Sequence, residues 1–147
     1  MTGLRERALR GSASEFGVTP RGEIWGVLME LGFENGAATL VSISDGTSSL
    51  YYSTGGGVIG AGSHPDVKAA SQRLCDLAAE PARAAAPADD FPLPADHRVR
   101  FYFLTTSGVR TAETGDAELG AGRHPLSGVF VAGHDVITAI RLHTPER

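Results

Sequence analysis

The apolar positions of the chain change period several times, and each change marks a boundary between expected elements. Residues 24–33 place Trp25, Val27, Met29, Leu31 and Phe33 on one side of an alternating pattern. The same stretch also fits a helical period through Ile24, Val27, Leu28 and Leu31, with Thr19 and Pro20 as a cap. Gly26 and Gly32 weigh against the helix, since each costs about 1 kcal/mol relative to alanine there. A strand is the reading adopted. Asn35-Gly36 then offers a two-residue hairpin turn, because a type I′ turn needs positive φ at both central positions. Residues 38–44 alternate again, Asp45-Gly46 supplies a second turn, and residues 49–53 make a third strand.

Helical spacing takes over at residues 64–80, where Val67, Ala70, Leu74, Leu77 and Ala78 form an apolar stripe and Ser63 is the expected N-cap. Four prolines between residues 81 and 96 make a connector, with Phe91 and Leu93 placed to tack it onto the sheet. Residues 99–105 and 109–114 read as a hairpin about Ser107-Gly108. Leu126, Val129, Phe130, Gly133, Ile137 and Ile140 then recur at helical spacing to about residue 142.

The pattern predicts an α+β fold: a five-stranded antiparallel sheet in the order β-β-β-α-β-β-α, with the helices packed mainly on one face. Residues 1–19 lack a clear apolar stripe and read as a flexible N-terminal arm with one or two helical turns around residues 4–9, with residues 20–147 as one domain. The string Gly-Ala-Gly-x-His-Pro occurs at residues 60–65 and again at 120–125, which suggests two half-repeats, 24–80 and 97–143, joined by the connector 81–96.

Composition narrows the function classes. A chain of 147 residues with 41% hydrophobic residues can bury a core of its own. Its net charge of -4 gives no electrostatic footprint for nucleic acid or for an anionic membrane surface. No apolar run approaches the roughly 20 residues of a membrane span, and no signal-like leader is evident, so a cytoplasmic protein is expected. The single cysteine, Cys75, excludes an internal disulfide framework and reads as a buried thiol in a helix.

Candidate chemistry centres on the glycine-rich stretch. Gly55, Gly56, Gly57, Gly60, Gly62 and Ser63 run into the start of a helix, where free backbone N–H groups can hold a phosphate or carboxylate. No Walker motif and no complete dinucleotide fingerprint accompany them. His64 and His124 stand at matching points of the two half-repeats and would converge on one site if a pseudo-two-fold axis related them. No metal ligand set at characteristic spacing is present, and no cofactor is expected. Tyr51 and Tyr52 are neighbours on a strand, so one faces the core and the other is available to a partner surface.

Residues 49–60, with Val99-Arg100-Phe101-Tyr102 and residues 122–127, resemble an uncharacterised bacterial family to which no activity attaches. At fold level the pattern is similar to roadblock and profilin-like scaffolds, which act mainly as dimeric platforms or ligand sensors. The resemblance implies a non-enzymatic, homodimeric interaction or regulatory module, with a protein partner. A small-molecule or phosphate-binding protein using the glycine stretch and the paired histidines is the alternative.

Overall fold

The structure, a computed structural model, describes residues 2–20, 22–54, 57–58 and 64–143. Strands β1 (Ile24–Phe33), β2 (Gly36–Ile43) and β3 (Ser48–Tyr52) form a meander, continued at its edge by the two-residue β4 (Gly57–Val58). Helix α2 (Pro65–Ala84) follows, then the two-residue β5 (Ala86–Pro87) and the hairpin β6 (Arg98–Thr105) and β7 (Gly108–Gly115). The chain ends in α3 (Asp116–Gly120) and α4 (Ser127–Leu142), and it begins with α1 (Thr2–Arg10). The sheet is open and antiparallel, in the order β4-β3-β2-β1-β6-β7-β5. The expected count of five strands and the expected element order are both corrected: β4 and β5 extend the two edges, and α1 and α3 add helices. Two-residue edge strands leave no alternation to read, so only pairing with β3 and β7 reveals them. Pairing of β1 with both β2 and β6 makes β1 the central strand.

The first departure from strict alternation lies at the start of β1. Ile24 pairs with Thr105 and Gly26 with Leu104, so Trp25 is an inserted residue in a β-bulge. The bulge sends Trp25 to the opposite face from Val27 and Met29, where it meets Leu28 and Tyr102. Two of the three glycine-containing hairpin turns close one residue earlier than expected: Phe33 pairs with Gly36 around Glu34-Asn35, and Thr105 pairs with Gly108 around Thr106-Ser107.

One face of the sheet packs against α2 and α4 through Val27, Met29, Leu40, Val99, Phe101 and Phe103. Burial of each large side chain of this kind is worth about 1.5–3 kcal/mol. In α2 the buried stripe is Val67, Ser71, Leu74, Cys75, Ala78 and Ala82. Leu77, placed in that stripe by its spacing, is 40% exposed, while Ser71 is buried because its hydroxyl reaches the Ile43 carbonyl at 3.3 Å. The helix also runs through Pro81, expected to open the connector, because Ala78, Ala82 and Ala85 remain packed beneath it. Arg110 of β7 closes that end by donating to the carbonyls of Ala82, at 2.9 Å, and Ala85.

The other face of the sheet is covered as well, against the expectation of helices mainly on one side. Arg5, Ala8 and Leu9 of α1 are buried, so the helical turns expected in a flexible arm form a helix that lies on the protein. It joins Val18, Trp25, Leu28, Val41, Ile43, Tyr51, Tyr102 and Leu104 in a second core, with Phe16, Ala88 and Phe91 at its margin. The connector crosses this face at Gly32, where a Cβ would overlap the Ala95 carbonyl oxygen. Phe91 packs edge-on to Tyr102, whose hydroxyl donates to the Pro92 carbonyl at 2.7 Å; Leu93, by contrast, is 46% exposed.

Candidate functional site

Register carries one row of polar side chains straight across five strands on the α1 face. Tyr51 of β3 is opposite Thr39 of β2, Thr39 opposite Glu30 of β1, Glu30 opposite Arg100 of β6, and Arg100 opposite Glu113 of β7. Directly opposed residues of an antiparallel pair share a face, so the row is continuous. Its middle member, Glu30, sits on the central strand at 0% exposure. A carboxylate in that position is costly unless it is paired and hydrogen-bonded.

The partner comes from α1. Arg5 donates from Nε at 2.6 Å and from a terminal nitrogen at 2.9 Å to the two oxygens of Glu30, the two-pronged geometry for which a guanidinium is shaped. Thr39 adds a third donor at 2.7 Å. The same Arg5 terminal nitrogen donates to the Phe91 carbonyl at 2.7 Å, so one side chain joins α1, the central strand and the connector. Burial works against the Arg5 charge, but the hydrogen bond and field of Glu30 outweigh it, and its pKa lies above the ordinary arginine value. Two further arginines of α1 lie over aromatic rings, Arg7 5.7 Å from the ring centre of Phe16 in the following turn and Arg10 5.1 Å from that of Phe91 in the connector.

Arg100, next in the row, faces away from Glu30 in its bonding. It pairs with Glu113 at 2.8 Å and donates to Thr111 at 3.2 Å, while Arg98 meets the other oxygen of Glu113 at 3.0 Å. At the opposite end, the Tyr51 hydroxyl is buried with no hydrogen-bond partner among the described residues. Burial and then the Glu30 charge push its pKa up to about 12. Tyr102, two residues from Arg100 on the same face, is likewise raised to about 12, first by burial.

Of the residues singled out in the sequence, Tyr51 lies in this row, and His64 and His124 do not. Gly55, Gly56, Gly60, Gly62 and Ser63 fall outside the described residues; Gly57 belongs to the edge strand β4. His64 is the N-cap residue of α2 and stacks on His143, ring centres 3.8 Å apart and planes within 5°. Both oxygens of Asp66 lie within 2.9 Å of His143 Nε2, and the hydrogen bond from His143 holds the Asp66 carboxyl below its usual value. His124 sits at the other end of α4, accepting from the Leu126 N–H at 3.0 Å. The 16 residues of α4, about 24 Å at 1.5 Å each, separate it from the His64 stack. The histidine brought to His64 is therefore His143, whose contact with Asp66 spans 77 positions in the chain.

Among the described residues, no group of three or more histidines, cysteines, aspartates or glutamates could hold a metal ion, and no helix is long and apolar enough to cross a membrane. Comparison with protein-family models, with curated proteins and with solved structures found no match. The sequence singled out Tyr51 at one end of the row but gave no role to Arg5, Glu30 and Thr39. One signal was available for Glu30: it is the lone charge within ten otherwise apolar or glycine residues of β1. A charge in such a run implies a buried partner, though not which one.

Proposed function

We propose that the protein is a non-enzymatic, homodimeric interaction module whose recognition surface is the α1 face of the sheet. The observation that carries this reading is Glu30: its charge is fully buried on the central strand and is matched by an arginine delivered on a short helix. A carboxylate so placed is suited to selecting a helix bearing a guanidinium at one position. It is not placed to meet a diffusible substrate. Specificity of this kind comes from the penalty for any occupant that leaves the charge unpaired. Native mass spectrometry over a wide concentration range tests the proposal: a dimer with no added mass is the expected result, and a monomer at every concentration overturns it.

A second reading is favoured by a different observation, the stack of His64 on His143 above Asp66 at the start of α2. In this reading the stack and the glycine-rich stretch before it bind a small anionic ligand. An additional mass in the native spectrum that is lost on denaturation, and that is absent from the His64→Ala variant, would favour it over the interaction module.

A further inference from the structure

We infer that the two copies of the proposed dimer are joined by exchange of the N-terminal segment, so that Glu30 of each copy is paired by the partner's Arg5. This inference rests on the homodimer reading above and specifies how the copies meet.

Three features of the segment support exchange. First, α1 is held to the sheet by side chains alone: among the described residues, no backbone–backbone hydrogen bond ties residues 2–18 to a strand. The turn after α1 is bonded to itself, Val18 N–H to the Ala13 carbonyl at 2.9 Å and Phe16 N–H to the Ser12 carbonyl at 3.3 Å. The helix and this turn thus form one unit, further joined by Arg7 over Phe16. Second, the unit enters β1 through Gly22, whose φ of +65° lies in the left-handed region open to glycine. A change of backbone angle there redirects the residues before it, releasing the Ser44 hydroxyl from the Thr19 carbonyl, while the Glu23 carbonyl stays on the Thr106 N–H. Third, a nine-residue helix is too short to be stable by itself in water, so α1 needs a sheet face to form on.

Charge then selects the occupant. Glu30 at 0% exposure requires a cation, and the two-pronged contact with Arg5 is reproduced unchanged when the helix belongs to another copy. Exchange of an identical element creates a dimer while reusing contacts that each chain already encodes. Two such pairs form per exchanged dimer, each joining Glu30 of one copy to Arg5 of the other.

The test uses full-length chains whose charges stay matched. The double variant with Arg5→Glu and Glu30→Arg keeps an opposite pair with itself, whether α1 binds in its own chain or in an identical partner. It is purified separately, then mixed with the wild type and left to equilibrate. In any exchanged hybrid, wild-type Arg5 would meet the arginine introduced at position 30, and the glutamate introduced at position 5 would meet wild-type Glu30. Both sites of the hybrid would hold like charges. Native mass spectrometry of an isotope-labelled mixture should therefore show two homodimers and almost no hybrid. Conversely, the single variants Arg5→Glu and Glu30→Arg are each mismatched alone and matched with one another, and mixing them should give the hybrid dimer in large excess. A statistical mixture of wild type and double variant overturns exchange while leaving a dimer built on another surface. A wild type that stays monomeric overturns the dimer itself. If the single variants do not fold alone, the wild-type and double-variant mixture still decides the matter.

Discussion

Tyr51 and Glu30 lie in the same cross-strand row, separated by Thr39, yet burial treats them in opposite ways. Glu30 has three donors, whereas the Tyr51 hydroxyl is buried with none among the described residues. An unpaired buried polar group costs about 1–3 kcal/mol. Tyr51→Phe removes that cost while keeping the ring in the second core. The variant is expected to be as stable as the wild type or more stable by up to about 1 kcal/mol in urea unfolding; a loss of that size instead would mean the hydroxyl has a partner. Tyrosines raised to about 12 also set the alkaline behaviour. Their neutral form is favoured by the fold, so the stability they contribute is complete below about pH 10 and declines as the unfolded chain ionises above it. Tyr51→Phe should make the loss of stability above that pH shallower.

The elements show which sequence signals reach the fold and which are overruled. Alternation and turn residues located β1, β2, β3, β6 and β7 within one or two positions, and helical spacing located α4. Period alone could not show the bulge at Trp25, because the extra residue is defined by pairing with β6, whose sequence lies far along the chain. Nor could it show that α2 continues through Pro81, since the packing of Ala82 and Ala85 decides that point. Helical turns around residues 4–9 could be read from the sequence, but their docking onto the sheet could not, because the anchoring residue is an arginine, which a search for apolar stripes discounts. Gly32 gives a test at this scale. Gly32→Ala drives a Cβ into the Ala95 backbone, and overpacking of that kind costs about 1–3 kcal/mol. Gly128→Ala in the first turn of α4 meets nothing within 4 Å and should be neutral or slightly stabilising. Thermal unfolding of the two variants should therefore move in opposite directions or differ clearly in size; equal midpoints would show that the connector does not lie over β1.

For the whole molecule, a sheet covered on both faces turns the question of function into one of which cover can leave. The α2 and α4 side holds Phe101, Phe103, Met29 and Leu74 at 0% exposure, whereas among the described residues α1 contributes Ala8, Leu9, the Arg5–Glu30 pair and the contacts of Arg5 with Tyr102 and Arg10 with Phe91 to its side. Two histidines give the molecule opposed pH responses. His97, raised first by its hydrogen bond with Asp116 and then by Asp96, contributes stability that is complete below about pH 6.5 and is lost as pH rises through its folded value. His134, lowered by burial beside Phe130, costs nothing above about pH 6.5; below it the unfolded chain takes the proton first and stability falls. Denaturant midpoints of His134→Gln should fall less than those of the wild type between about pH 6.5 and 5. An unchanged slope would remove His134 from the account of acid sensitivity. The stack of His143 on His64 was not legible, because what adjoins His64 is set by the antiparallel placement of α4 against α2 and not by the repeated motif that pointed to His124.

The most direct measurement is a double-mutant cycle on Arg5 and Glu30, read by urea unfolding at neutral pH. Arg5→Met leaves the Glu30 carboxylate buried and unpaired and should cost about 3–5 kcal/mol. The double replacement with Glu30→Met puts apolar side chains of similar length in both places and should recover at least about 2 kcal/mol of the summed single losses. Coupling of that size is the result predicted for a face that recognises α1 through one buried charge. Losses that add within about 0.5 kcal/mol would contradict it.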